Sequence, residues 1–172
     1  MEIRTERLLL RPVCADDAGA VYAYAGDPEN TRYMVFLPYA SLEETAAHIR
    51  EAEAEWAGTN PAFLEFVILW NGAIAGGLSV YYTSEAGVAE LGWVVNKAFW
   101  GRGFALEAAK ALISHGRQAW GWTRVIAQCD SENTASRRVM EKLGMQCVSR
   151  TGGRKNRSSD EERTELTYEL VL

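Results

Sequence analysis

Two glycines one residue apart, Gly101 and Gly103, stand directly before some 17 residues of strong helix-forming character that end near Trp120. Glycine lacks a Cβ, so the backbone can turn sharply there and approach a ligand closely. The first N–H groups of the following helix have no partner within it, and the positive end of the helix dipole lies behind them. Such a turn suits an anion, most naturally a phosphate or pyrophosphate, and Arg102 would add a charge-assisted contact. Gly-x-Gly before a helix is also the mark of a plain tight turn. No Walker string G-x-x-x-x-G-K-[ST] is present. A dinucleotide fingerprint needs G-x-G-x-x-G/A after a parallel strand; Leu106 stands where the last small residue belongs, and the preceding runs read as hairpins. Cys14, Cys129 and Cys147 are far apart with no CxxC pair, and two histidines, His48 and His115, are too few for a histidine-rich site, so no metal site is expected. Cys129 tempts as a nucleophile, but without a histidine near it in sequence it reads as a small buried apolar residue.

The elements that must hold this turn follow from pattern. Arg7–Val13 is an apolar run, the expected first strand. Asp16–Tyr24 is Ala-rich and helical, broken by Gly26-Asp27-Pro28, and residues 27–40 read as an irregular aromatic loop with a helical turn. Ser41-Leu42-Glu43-Glu44 is a capping-box pattern that starts a helix to about Trp56. Phe63–Trp70 and Ala73–Tyr82 are strand-like runs joined by Asn71-Gly72, a strong hairpin signal, and Val88–Val95 follows as a third. After the glycine helix come a strand at Arg124–Cys129, a helix at Asn133–Leu143 closed by Gly144, and a final pair of strands at 146–151 and 164–171 around a polar loop, 152–160. The order β-α-α-β-β-β-α-β-α-β-β is mixed α+β, with about seven strands and four helices in one domain spanning 1–172.

Composition sets the bounds. With 172 residues, 48% hydrophobic and 24% charged, the chain is an ordinary globular domain rather than a disordered one. The odd, scattered cysteines fit a reducing compartment. No apolar run approaches a membrane span and the start MEIRTERLLLRP has no signal-peptide layout, so a cytoplasmic protein with no membrane partner is expected. Residues 1–60 carry 11 acidic and 5 basic side chains, whereas residues 101–172 carry 9 and 12. The two poles suit a cation and an anion respectively, or reflect solvated charge alone; basic clustering is too weak for a nucleic-acid binder.

The string ELGWVVNKAFWGRGFALEAAKALISHG resembles the acetyl-CoA-binding motif of the GNAT superfamily of N-acetyltransferases. TERLLLRP, DPENTRYM followed by SLEE, and RVIAQCDSENTASRRVMEKLGM are similar to the branch typified by the ribosomal-protein N-terminal acetyltransferases RimJ and RimL. Trp100 stands where many superfamily members have Gln or Arg, though an aromatic is usual in this branch, and Lys97 stands where Pro is common. Neither change removes a backbone donor.

The resemblance implies a GNAT-type fold, a mostly antiparallel twisted sheet splayed at the acetyl-CoA site between the strand ending near Val95 and the strand Arg124–Cys129. It implies that Arg102, Gly103, Phe104 and Ala105 offer main-chain N–H groups to the CoA pyrophosphate. Trp93 and Val95 would pair through their backbone with the pantetheine arm, which would act as an extra strand. Asn133 would bond the end of that arm, and Ser136, one turn on, would point toward the sulfur. Arg137 and Arg138 are either a solvated face or contacts to the 3′-phosphate. The implied acceptor site puts Tyr33, Phe36 and Tyr39 at the substrate.

The implied chemistry is direct attack of a primary amine on the thioester in a ternary complex. It needs a base for the ammonium, a donor to the carbonyl oxygen and an acid for the leaving thiolate. Glu90, the acid inside the central strand, is the candidate base, directly or through water; otherwise it faces solvent or pairs with a nearby cation. Ser136 is the candidate proton donor; otherwise it is a plain helix-face serine or a binding group. A protein N-terminal amino group is the leading acceptor in this branch. A small amine such as an amino acid, polyamine or aminoglycoside is the alternative, and a non-catalytic acyl-CoA-binding sensor is the reading from another class. Family members are often homodimers, but no apolar seam here marks an interface.

Overall fold

The computed structural model describes Met1–Leu172 in full. Eight strands form one sheet: β1 (Ile3–Arg4), β2 (Leu8–Pro12), β3 (Phe63–Trp70), β4 (Ala73–Tyr82), β5 (Val88–Val95), β6 (Arg124–Asp130), β7 (Gln146–Lys155) and β8 (Glu162–Val171). Their order across the sheet is β1-β2-β3-β4-β5-β6-β8-β7, and every neighbouring pair is antiparallel except β5 and β6. The helices are α1 (Ala18–Ala25), α2 (Leu42–Ala57), α3 (Phe104–Ala119) and α4 (Thr134–Lys142).

The β3–β4–β5 meander begins and ends where the apolar runs do. Its first turn is tight because Asn71 and Gly72 both take positive φ, 50° and 81°, as a two-residue hairpin loop demands. Strand residues alternate between two layers of core. Phe66, Ile68, Leu78 and Leu91 pack under α3 with Leu112 and Ala108, while Val67 joins Val13, Val21, Ile49 and Ala52 beneath α1 and α2. At α2 the Ser41 hydroxyl accepts from Glu44 N at 3.1 Å, but the Glu44 carboxylate accepts from Ala40 N, one residue further back than a capping box requires.

Two expectations change. The sheet gains the two-residue β1, which is too short to carry a periodic signal. The segment 152–160 is not all loop: β7 runs on to Lys155, paired with Glu162, past irregularities at Cys147/Ser149 and Thr151/Arg154. Its Gly-Gly-Arg-Lys composition reads as a loop because the stabilising groups lie elsewhere in the chain. Gly153 supplies a φ of +87° at the bulge, and the Arg154 side chain is buried against Glu165, Asn156 and the Tyr33 carbonyl.

Candidate active site

β5 and β6 pair as parallel neighbours only through Val88, Ala89 and Glu90, opposite Arg124, Val125 and Ile126. Beyond that rung the strands diverge, and Glu90 sits at the apex of the fork. Asn96 N–H donates to Ala75 O at 2.9 Å, which fixes the parity of the β4–β5 ladder. Glu90, Gly92 and Val94 turn their backbone groups to β4, while Leu91, Trp93 and Val95 turn theirs into the fork. A fork with unpaired backbone donors and acceptors along one arm accepts an extended ligand as an added strand.

The Val95 carbonyl is already occupied. It accepts from Trp100 Nε1 at 2.8 Å and from Asn30 Nδ2 at 3.1 Å. Asn30 Oδ1 in turn accepts from Lys97 N at 2.6 Å, and Lys97 Nζ reaches Asp27 and Glu29 at 2.7 and 2.9 Å. The DPEN motif therefore ties the loop after α1 to the end of β5, and only the N–H of Val95 is left to the fork.

Past β5 the chain turns through Gly101 and Gly103, at φ of +76° and +77°, into α3. Gly103 is the N-cap residue and carries no side chain to cap the helix, so the Phe104 and Ala105 N–H groups face outward. Arg102 lies with its guanidinium 4.8 Å from the centre of the Trp70 ring. Arg7, used in sequence only as part of TERLLLRP, holds this turn from outside. It donates to Arg102 O at 3.1 Å and through Nε to Glu107 at 2.7 Å, while Thr5 donates to the same carboxylate at 2.5 Å. The one acid in the first turn of α3 is thus neutralised beside the anion site.

Across the fork, α4 begins at Asn133, whose Oδ1 accepts from Ser136 N at 3.1 Å; the helix cap leaves only the amide Nδ2 for a ligand. Arg137 Nε is buried without a partner and Arg138 is exposed.

A cavity of about 510 Å³ opens beneath the fork on the α1/α2 side of the sheet. It brings Glu90, Ser136, Trp93, Tyr33, Phe36 and Tyr39 together. Val95, Arg102, Gly103, Phe104, Ala105 and Asn133 lie outside its lining, along the fork and the α3 turn. Phe36 is 75% exposed and stands at the rim. Glu90 is half-buried and its pKa is raised by burial first and by the Glu165 charge second, with Arg154 opposing. Cys129 lines the same cavity, but burial pushes its thiol up to about 11, the wrong direction for a nucleophile at neutral pH.

The sequence reading missed a polar cluster in this cavity. Ser79 Oγ donates to Glu65 at 2.9 Å, His48 Nε2 stands 3.5 Å from the same carboxylate, and His48 lies between the rings of Tyr39 and Phe63, both at 5.6 Å. Glu65 was visible as a lone acid in the apolar run FLEFVILW, the same signal that drew attention to Glu90. His48 has no such signal, because only the packing of α2 on β3 brings it there. A roof closes over these groups. Arg157 donates from its backbone to Met34 O and from its side chain to Phe36 O and Glu44, while Arg154 donates to Tyr33 O at 2.9 Å.

Residues 7–146 match the family described as an acetyltransferase (GNAT) domain. The chain is 32% identical over 145 residues to the uncharacterized N-acetyltransferase YnaD of Bacillus subtilis (strain 168), a match covering 84% of this chain and 82% of that one. It is similar to the crystal structure of a GNAT-family acetyltransferase from Bacillus anthracis, with a TM-score of 0.85 at 28% identity over 99% and 98% of the two chains. It shares the fold of RimL, a ribosomal L7/L12 alpha-N-protein acetyltransferase solved with coenzyme A, at a TM-score of 0.88 and 18% identity over 100% and 98%.

Proposed function

The chain belongs to the GNAT acetyltransferase family, and from that premise we propose that it moves the acetyl group of acetyl-CoA to a primary amine by direct attack. The observation that carries this reading is the fork itself, with Glu90 at its last rung and Ser136 on the facing helix of one cavity. Acetyl-CoA supplies the activated acyl group. The uncapped N-terminus of α3 suits its pyrophosphate, and the fork-facing backbone of Trp93, with the N–H of Val95 and the amide of Asn133, suits its arm.

Glu90 takes the proton from the incoming ammonium, directly or through one water, and burial shifts its pKa upward, the direction a base needs. The backbone N–H of Trp93, turned into the fork beyond the last β5–β6 rung, is placed to hold the thioester oxygen. Ser136 gives a proton to the departing thiolate. Tyr33, Phe36 and Tyr39 bound the space left for the amine.

A protein N-terminal amino group remains the leading acceptor. The roof of Arg154 and Arg157 on residues 33–36 favours a second reading, a small amine, because it closes one side of the acceptor cavity.

The test is calorimetric titration with acetyl-CoA, followed by thiol release with mixed amines and peptides. Saturable binding with amine-dependent release is expected. Absence of binding overturns the phosphate turn and the fork together, and binding without release to any amine overturns the catalytic assignment.

A further inference from the structure

Resting on that reading, we propose that the acceptor is a monoamine whose ammonium is its only charge, carried on one aromatic or aliphatic group, and that His48 sets this selectivity by occupying Glu65. Three carboxylates line the cavity: Glu65, Glu90 and Glu165. Glu165 is bound to Arg154 at 2.7 Å, and Arg154 cannot release it cheaply because the same guanidinium also holds Tyr33 O and Asn156. Glu65 accepts from Ser79 and faces the ring nitrogen of His48. The Glu65 contact raises the pKa of His48 more than burial lowers it, which favours the charged imidazole that neutralises Glu65.

That leaves one carboxylate without a partner in the chain, Glu90, and one ammonium to match it. Most of the remaining wall is apolar or aromatic, with Val13, Val21, Leu37, Ile49, Val67 and Val94 among it. A second cation in such a wall is buried unpaired, which is costly, whereas an aromatic or aliphatic group gains from burial. The same chemistry is offered by a free amine and by the first residue of a peptide.

Initial rates of thiol release at saturating acetyl-CoA distinguish these. The expected result is a kcat/KM for pentylamine and phenethylamine at least about tenfold above that for cadaverine, spermidine or kanamycin. A phenylalanyl peptide amide run beside phenethylamine tells a peptide source from a free one. His48→Gln should strip Glu65 of its counter-charge and raise the cadaverine-to-pentylamine ratio by about fivefold or more; adding Glu65→Gln should return it. Melting and acetyl-CoA titration check that both variants are folded. Equal or faster transfer to the diamine by the wild type overturns the proposal and leaves the acetyltransferase reading intact. An unchanged ratio in His48→Gln overturns the role of His48. No release with any amine overturns the acceptor site and this proposal with it.

Discussion

Glu90 combines two opposed demands at one residue. A base must hold its proton loosely enough to be ionised and tightly enough to accept another, and burial at the fork supplies the upward shift. Glu90→Gln should lower kcat by about a hundredfold or more and remove the acidic limb of the kcat/KM–pH profile, with acetyl-CoA affinity held, measured by steady-state rates and calorimetry. The same shift has a consequence for stability. A carboxyl whose folded pKa is raised favours the fold below its unfolded pKa, and that advantage is lost as pH rises through the folded value. Glu90→Gln should therefore melt above wild type at about pH 8, with the difference vanishing at about pH 4.

Glycine matters at the scale of elements, for different reasons at different places. At Gly103 a Cβ would meet only Arg7, at 3.9 Å, so space is not the constraint; the φ of +77° is. Gly103→Val should weaken acetyl-CoA binding at least about tenfold in calorimetric titration, since left-handed backbone costs a side-chain residue about 1–2 kcal/mol and the added methyls cover the α3 N–H groups. Wild-type affinity in that variant would refute the placement. Gly116, within α3, presents the reverse case. An exposed helical Gly→Ala gains up to about 1 kcal/mol, but here the new Cβ falls 2.1 Å from the Trp122 ring, which is packed in the core. Overpacking costs about 1–3 kcal/mol, so Gly116→Ala should lower the melting temperature despite its better helix propensity.

For the whole molecule, the question is what keeps the β7–β8 hairpin over the cavity. Asp130, fully buried at the end of β6, accepts from Asn156 Nδ2 at 2.6 Å, Arg163 Nε at 3.1 Å and Glu132 N at 2.9 Å. Burial raises its pKa, and those hydrogen bonds outweigh it and hold the carboxyl below the ordinary range. Its contribution is present above the unfolded carboxylate pKa and lost as pH falls through the folded one. Asp130→Ala strips Asn156 Nδ2 and Arg163 Nε of their buried acceptor, while Arg163 keeps Glu132 and Glu161. The substitution should cost about 3 kcal/mol in denaturant unfolding and raise KM for the amine more than for acetyl-CoA, because the roof loosens over the acceptor side. The basic C-terminal part is less of a single pole than its count suggests: Arg124, Arg154, Arg157 and Arg163 are each paired with an acid, whereas Arg102, Arg137 and Arg138, nearer the turn and α4, form no ion pair within the chain.

Much of the fold was legible because its signals are local. Period-two runs, the Asn71-Gly72 turn, Ser41 and the Gly101–Gly103 turn each act within a few residues, and β3, β4 and β5 fall where the pattern puts them. Glu90 was legible as the acid inside the central strand, whereas Ser136 and the aromatic loop residues became candidates through the family resemblance. What the sequence left open is whatever depends on residues distant in the chain. His48 meets Glu65 only when α2 packs on β3, Arg154 meets Tyr33 only when the hairpin folds over, and the capture of the Val95 carbonyl needs Asn30 from 65 residues away. The charge left free in the cavity is the balance of those distant pairings, so tertiary structure alone decides it.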